Sequence, residues 1–243
     1  MSTATPVITR TGRDTVLYPH AQWYFLAAIV TTWIGFSRSY FLRVGHATIF
    51  QHIHGATAGL WLALLFVQPI LYQRGALALH RRLGRIGVFV LIPLLLLGGA
   101  LMVHNMVKHQ AGYPPGMVYT LSYLDAWSIL LLALFVILAI RYAQDTGLHA
   151  RYMVCTVLVL LPPALTRALA FVPGLDSMTT SINVSYILMI VILGLLTIDD
   201  LRKGRLRGAY PAAIAAFLPM ALTMNFAGHW QWWHRLADRY ASF

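Results

Sequence analysis

Seven blocks of apolar residues, each almost free of charge, leave this chain few ways to fold. They run over 23–36 (extending toward Tyr40), 49–71, 86–107, 124–143, 153–171, 182–198 and 212–226. A helix of about 20 apolar residues crosses the hydrocarbon of a bilayer. In that medium each backbone N–H and C=O must be satisfied inside the protein, which favours helices. The expected fold is therefore all-α, an integral membrane bundle of seven transmembrane helices. With 59% hydrophobic and only 10% charged residues, the chain lies outside the soluble globular range, where about a quarter are charged. The connections are short, and the longest, 108–122, holds the turn-rich run Gly112-Tyr113-Pro114-Pro115-Gly116. Residues 1–243 thus read as a single transmembrane domain, with a short polar segment at 1–20 and an interfacial tail at 227–243. The polar start is not followed by a compact apolar core and a small-residue cleavage site, so a cleaved signal peptide is not expected.

The net charge of +11 would suit a nucleic-acid partner, but its distribution points to membrane topology. With seven spans, one side collects Arg10, Arg13, Arg74, Arg81, Arg82, Arg85, Arg141, Arg151, Arg202, Lys203, Arg205 and Arg207. The other collects only Arg38, Arg43, Lys108, Arg167, Arg235 and Arg239. Cations favour the cytoplasmic side, which puts the N-terminus inside and the C-terminus outside in a bacterial inner membrane. The expected partners are membrane lipids, with anionic headgroups meeting the basic loops, and a nucleic-acid partner is not expected. A membrane-protein complex partner stays open. One cysteine, Cys155, rules out an internal disulfide and a thiolate metal cluster. Trp230, Trp232 and Trp233 read as an interfacial aromatic anchor.

The same topology delivers His52, His54, His104, His109, His229 and His234 to the outer side. On a helix His52 and His54 point about 160° apart. His52 shares its stripe with Gly55 and Gly59, which could admit another helix or a flat macrocycle, small-residue helix packing being the plainer reading. His54 shares its own with Trp61 and Gln68, a seam expected to face the bundle. Met102, His104, Met106 and His109 cluster at the outer end of the third block, a set that suits copper or haem iron, although methionine also serves as ordinary packing. Asp125 opens the fourth block with Ser128 one turn deeper, Arg167 lies one turn from the outer end of the fifth behind Pro162-Pro163, and Asn183 opens the sixth. Ionisable groups within spans are functional candidates by default. Arg167 either snorkels to the outer headgroups or pairs with Asp125 or an anionic ligand. On the inner side His80 and His149 precede spans beside arginines. Their plain role is loop ion pairing together with Asp199-Asp200, and their sharper one is to hold a second cofactor.

The opening His52-x-His54-Gly55, Trp61, Gln68 and the run Leu79-His80-Arg81-Arg82-Leu83-Gly84-Arg85 resemble a bacterial family of multi-span membrane proteins of unknown function. Pro163-Ala164-x-x-Arg167 and the loop from Asp200 to Arg207 are similar as well, so the resemblance covers roughly 50–210. It implies a seven-span helical fold and no established activity. A distant likeness to membrane b-type cytochromes is one of fold and histidine placement.

These residues make a redox or metal-cofactor membrane protein the leading expectation, with haem b and electron transfer first. His52 or His54 would pair with His104 as axial ligands, Gly55 and Gly59 would make room for the ring, and an arginine would meet a propionate. Bare copper, zinc or iron on His52, His54, His104 and His109 is the alternative, with Asp125 as general base or fourth ligand and Arg167 beside it, giving a metal-dependent membrane enzyme. A non-catalytic accessory or assembly subunit is the third reading. Transport is disfavoured, because no inverted repeat or line of mid-bilayer acids is present. Retinal binding is excluded: the only lysines, Lys108 and Lys203, lie in loops.

Overall fold

The computed structural model describes residues 18–243, so the polar segment carrying Arg10 and Arg13 lies, up to residue 17, outside the described residues. Nine helices are found there: α1 (Ala21–Phe36), α2 (Ile49–Gln73), α3 (Leu77–Ile86), α4 (Ile92–Lys108), α5 (Met117–Arg141), α6 (Thr146–Leu169), α7 (Met178–Arg202), α8 (Ala209–Ala227) and α9 (Gln231–Ala241). Among the described residues there is no strand. One wide turn at Gly87–Leu91 joins α3 to α4, making a continuous rod of 32 residues. Pro93 falls just after that turn, where the relaxed ladder accommodates a residue that cannot donate.

Six helices are long and apolar enough to cross a membrane: α2, the α3–α4 rod, α5, α6, α7 and α8. The first apolar block differs from its expectation, since α1 has 16 residues and at 1.5 Å per residue spans about 24 Å, short of the ~30 Å hydrocarbon layer. It ends where Ser37-Arg38-Ser39 interrupts the apolar run. A short 3-10 segment, Phe41–His46, then leads to α2. There Thr48 and Gln51 form a reciprocal capping box, Thr48 Oγ1 accepting from the Gln51 amide and Gln51 Oε1 from the Thr48 amide.

From α1 to α8, with α3–α4 taken as one rod, successive helices run in opposite directions, so the bundle has two ends. At one, Gln73 closing α2 donates to the Pro19 carbonyl, Tyr18 meets Tyr210 at the start of α8, and Arg151 near the start of α6 meets Asp200 near the end of α7. This is the basic face. At the opposite face Tyr40 meets His52, Asn183 opening α7 meets Asn225 closing α8, and Tyr240 of α9 donates to the Ala100 carbonyl of α4.

The core lies where Phe135, Met189, Leu193, Phe217 and Met220 meet, all fully buried. Between lipid-facing helices there is no hydrophobic drive to associate, so close van der Waals approach carries the packing. Gly35 shows this best: a Cβ there would collide with the Ala164 carbonyl of α6. Around the outside, Trp33, Leu60, Phe89, Leu130, Ile137 and Leu195 stay exposed, as expected of side chains facing acyl chains.

The tail differs from a simple aromatic anchor. Trp230 and Trp233 stand edge-on to Tyr123 of α5, and Trp233 Nε1 donates to the Tyr119 carbonyl. Only Trp232 of the three is open to the surroundings. Two tryptophans therefore bolt α9 across α4 and α5, with Ala237 and Ala241 beneath it.

Candidate functional site

The histidines of the opposite face meet different neighbours. His52 Nδ1 lies 2.8 Å from the Tyr40 hydroxyl. His54 faces α4, where a Cβ at Gly98 would stand 3.5 Å from it and one at Gly99 would stand 3.9 Å from it. Its Nδ1 is buried and has no hydrogen-bond partner among the described residues. The expected seam is present, with Trp61 and Gln68 buried below His54. His104 stands edge-on to Tyr240, ring centres 5.6 Å apart. His109 is exposed at the end of α4. His229 is exposed and lines a cavity of about 350 Å³ with Asn183, Asn225 and Thr120. His234 stacks on Tyr119 at 3.7 Å and donates from Nε2 to the Gly228 carbonyl at 2.9 Å.

Helical geometry accounts for this dispersal. Two residues apart, His52 and His54 project to different neighbours, one to the segment after α1 and one to α4. Among the described residues no group of three or more His, Cys, Asp or Glu is arranged to hold a metal ion, so His52, His54, His104 and His109 are not gathered as a ligand set. The glycines singled out for a macrocycle are otherwise engaged: the Tyr40 ring lies over Gly55, and Gly59 has no neighbour across from it. The glycines that do face an imidazole are Gly98 and Gly99, where an added methyl would just reach it. The adjacent glycine pair in an apolar helix was the signal for them.

Asp125 and Arg167 come within electrostatic reach of one another but form no ion pair: the three found among the described residues are Arg151–Asp200, Lys203–Asp199 and Arg207–Asp145. Arg167 instead donates from Nη1 to the Pro163 carbonyl at 2.7 Å and lies 4.7 Å above the Phe36 ring centre. Asp125 also lies within electrostatic reach of the Tyr186 hydroxyl.

The basic face is organised differently. His80 of α3 and His149 of α6 have ring centres 6.4 Å apart and planes inclined by 71°. His149 Nδ1 lies 2.9 Å from the Ala139 carbonyl, and His80 Nδ1 lies 3.4 Å from the Gln68 carbonyl. A carbonyl can only accept, so both Nδ1 atoms carry the proton and both Nε2 atoms keep a free lone pair when the rings are neutral. Gln68 donates from Nε2 to the His80 carbonyl at 3.1 Å, and its buried Oε1 has no partner among the described residues.

Beside this pair the ion pairing expected between the arginine entries and Asp199-Asp200 is present, but as a buried cluster that the sequence did not reveal. Arg151, 1% exposed, grips Asp200 with two bonds of 2.6 Å, from Nε to Oδ2 and from Nη2 to Oδ1. Its Nη1 donates to the Gly147 carbonyl and its Nη2 also to that of Arg205. The rings of Tyr18 and Tyr210 flank the guanidinium at 5.7 and 6.0 Å. Burial pushes the Tyr18 hydroxyl above the usual tyrosine range, so it stays protonated for its 2.9 Å bond with the Tyr210 hydroxyl.

Compared with protein-family models, curated proteins and solved structures, the chain matches none.

Proposed function

We propose that this is a seven-span cofactor protein of a bacterial inner membrane, N-terminus inside, in which His80 and His149 ligate the iron of haem b for electron transfer. The observation that carries it is the inner histidine pair. Each Nδ1 is tied to a main-chain carbonyl, the arrangement that orients metal-ligating imidazoles and raises their basicity. The rings stand edge to face with centres 6.4 Å apart, so the two side chains could together hold one haem iron. A bare ion needs more, and Gln68, bonded to the His80 carbonyl, has an unpartnered Oε1. Arg81 and Arg82, exposed beside His80, are suited to meeting carboxylates such as propionates. Bound there, haem would supply one-electron chemistry, and this chain would set its orientation and surroundings.

The reading moves the leading cofactor seat from the outer histidines to the inner pair. It is tested by the absorption spectrum of detergent-purified protein from haem-replete cells. A Soret band that shifts on reduction is expected, lost in His80→Ala and in His149→Ala and kept in His52→Ala and His104→Ala. Loss in His54→Ala instead would return the seat to the outer face. A colourless protein with stoichiometric zinc or copper would replace haem by the bare ion, and a protein with neither would be an accessory subunit. Reporter fusions at Gly204 and at the C-terminus should report opposite sides of the membrane.

A further inference from the structure

A second site lies at the other end of the molecule. Just past the ends of α1 and α6, a cavity of about 190 Å³ is lined by Gly35, Arg38, Ser39, Arg167, Ala170 and Phe171. Two guanidinium groups and a hydroxyl thus border one hollow. The arginines are held by reciprocal aromatic contacts: Arg38 from the α1 side lies 4.3 Å over the Phe171 ring centre, and Arg167 from α6 lies 4.7 Å over that of Phe36. Such stacking steadies the planar fork and leaves its edge donors for a ligand.

Neither arginine belongs to an ion pair among the described residues. Asp125 is within electrostatic reach of Arg167 but beyond pairing distance. The C-terminal ends of α1 and α6 favour cations there, which explains why two are tolerated. That dipole does not use their hydrogen bonds, however: Arg38 makes none to the protein among the described residues, and Arg167 makes one, to Pro163. Two clamped guanidiniums around a small hollow match the oxygens of a phosphate.

We propose that Arg38, Arg167 and the Ser39 hydroxyl bind a phosphodiester, supplied by the headgroup of an anionic phospholipid. The lipid is favoured over free phosphate by what borders the hollow. Phe171 lines it, and Ile34 and Val172, next in the chain to Gly35 and Phe171, are exposed and apolar, giving acyl chains a surface to lie against. The site is independent of the histidine pair, so each can fail without the other.

The test uses the full chain, reconstituted with equal phosphatidylglycerol and phosphatidylcholine, re-extracted in lipid-free detergent and examined by native mass spectrometry. Wild type should retain phosphatidylglycerol preferentially. Arg38→Gln should lower that retention by about tenfold, with Arg38→Lys intermediate because the charge stays and the fork is lost. Arg239→Gln on α9 should match wild type. Arg167→Gln should act like Arg38→Gln, but it also removes contacts with Pro163 and Phe36, so exposed Arg38 is the deciding position. Equal retention in wild type and Arg38→Gln would overturn the site. Displacement of the lipid by millimolar inorganic phosphate, with phosphate bound in its place, would overturn the lipid as the ligand.

Discussion

The two ends of the bundle hold polar groups in different ways. The opposite face has more histidines, yet each rests on a different partner: a tyrosine hydroxyl for His52, a glycine pair for His54, aromatic rings for His104 and His234. The basic face has fewer candidates, but they converge, with His80 beside His149 and Arg151 locked onto Asp200. Convergence depends on helix azimuth and on which main-chain carbonyls lie opposite. The number of residues at one depth does not decide it.

The largest effect that could break this contrast comes from Arg151. Its removal leaves Asp200 charged and enclosed, a loss of about 3–5 kcal/mol. Arg151→Ala should therefore sharply lower the thermal-denaturation midpoint in detergent. At the opposite face Asn183→Ala, which breaks a neutral amide pair with bonds of 2.8 and 3.1 Å, should cost only about 1 kcal/mol. Arg151→Met with Asp200→Leu should recover most of the loss, because replacing both partners removes the stranded charge. Equal losses for Arg151→Ala and Asn183→Ala would erase the distinction between the two ends.

A smaller effect separates two glycines on the opposite half. Gly35 presses on the Ala164 backbone, and backbone cannot swing aside as a flexible side chain can. Gly35→Ala should force α1 off α6 at about 1–3 kcal/mol. Gly59→Ala, with open space before it, should stay within about 0.5 kcal/mol of wild type. Matching midpoints for the two variants would mean that α1 does not dock through Gly35.

Much of this architecture was legible in the chain. Unbroken apolar runs marked the long helices, and the spacing of His54, Trp61 and Gln68 placed that seam toward the bundle. The shortness of α1 was signalled by Ser37-Arg38-Ser39. What escaped were the pairings between distant segments. Asp199 and Asp200 read as one loop-facing acidic pair, yet neighbours on a helix point about 100° apart. Asp199 turns out to Lys203, one turn on, whereas Asp200 turns in to Arg151, 49 residues away. No local pattern distinguishes the two. Likewise, His80 and His149 could be named as a possible pair, but only the folded bundle brings their rings together.

The smallest effect sharpens the comparison within the basic face, between its buried pair and an exposed one. Asp145 caps α6, Oδ1 accepting from the Leu148 amide at 3.1 Å and Oδ2 meeting Arg207 Nη1 at 2.7 Å. The Leu148 amide first, and the Arg207 charge after it, hold the carboxyl below the ordinary aspartate range. A lowered folded-state value means that the stabilisation is fully present above the unfolded-state value and is lost as pH falls through the folded one. Asp145→Asn keeps a competent cap and removes only the charge. It should be less stable than wild type at neutral pH, and the gap should close on acidification through and below the ordinary carboxylate range. Because Arg207 is exposed, molar salt should narrow the same gap at neutral pH. Salt should leave the loss in Arg151→Ala almost unchanged, since Arg151 and Asp200 are shielded from ions. The absence of any gap between Asp145→Asn and wild type at neutral pH would assign Asp145 to capping alone, with no share for its charge.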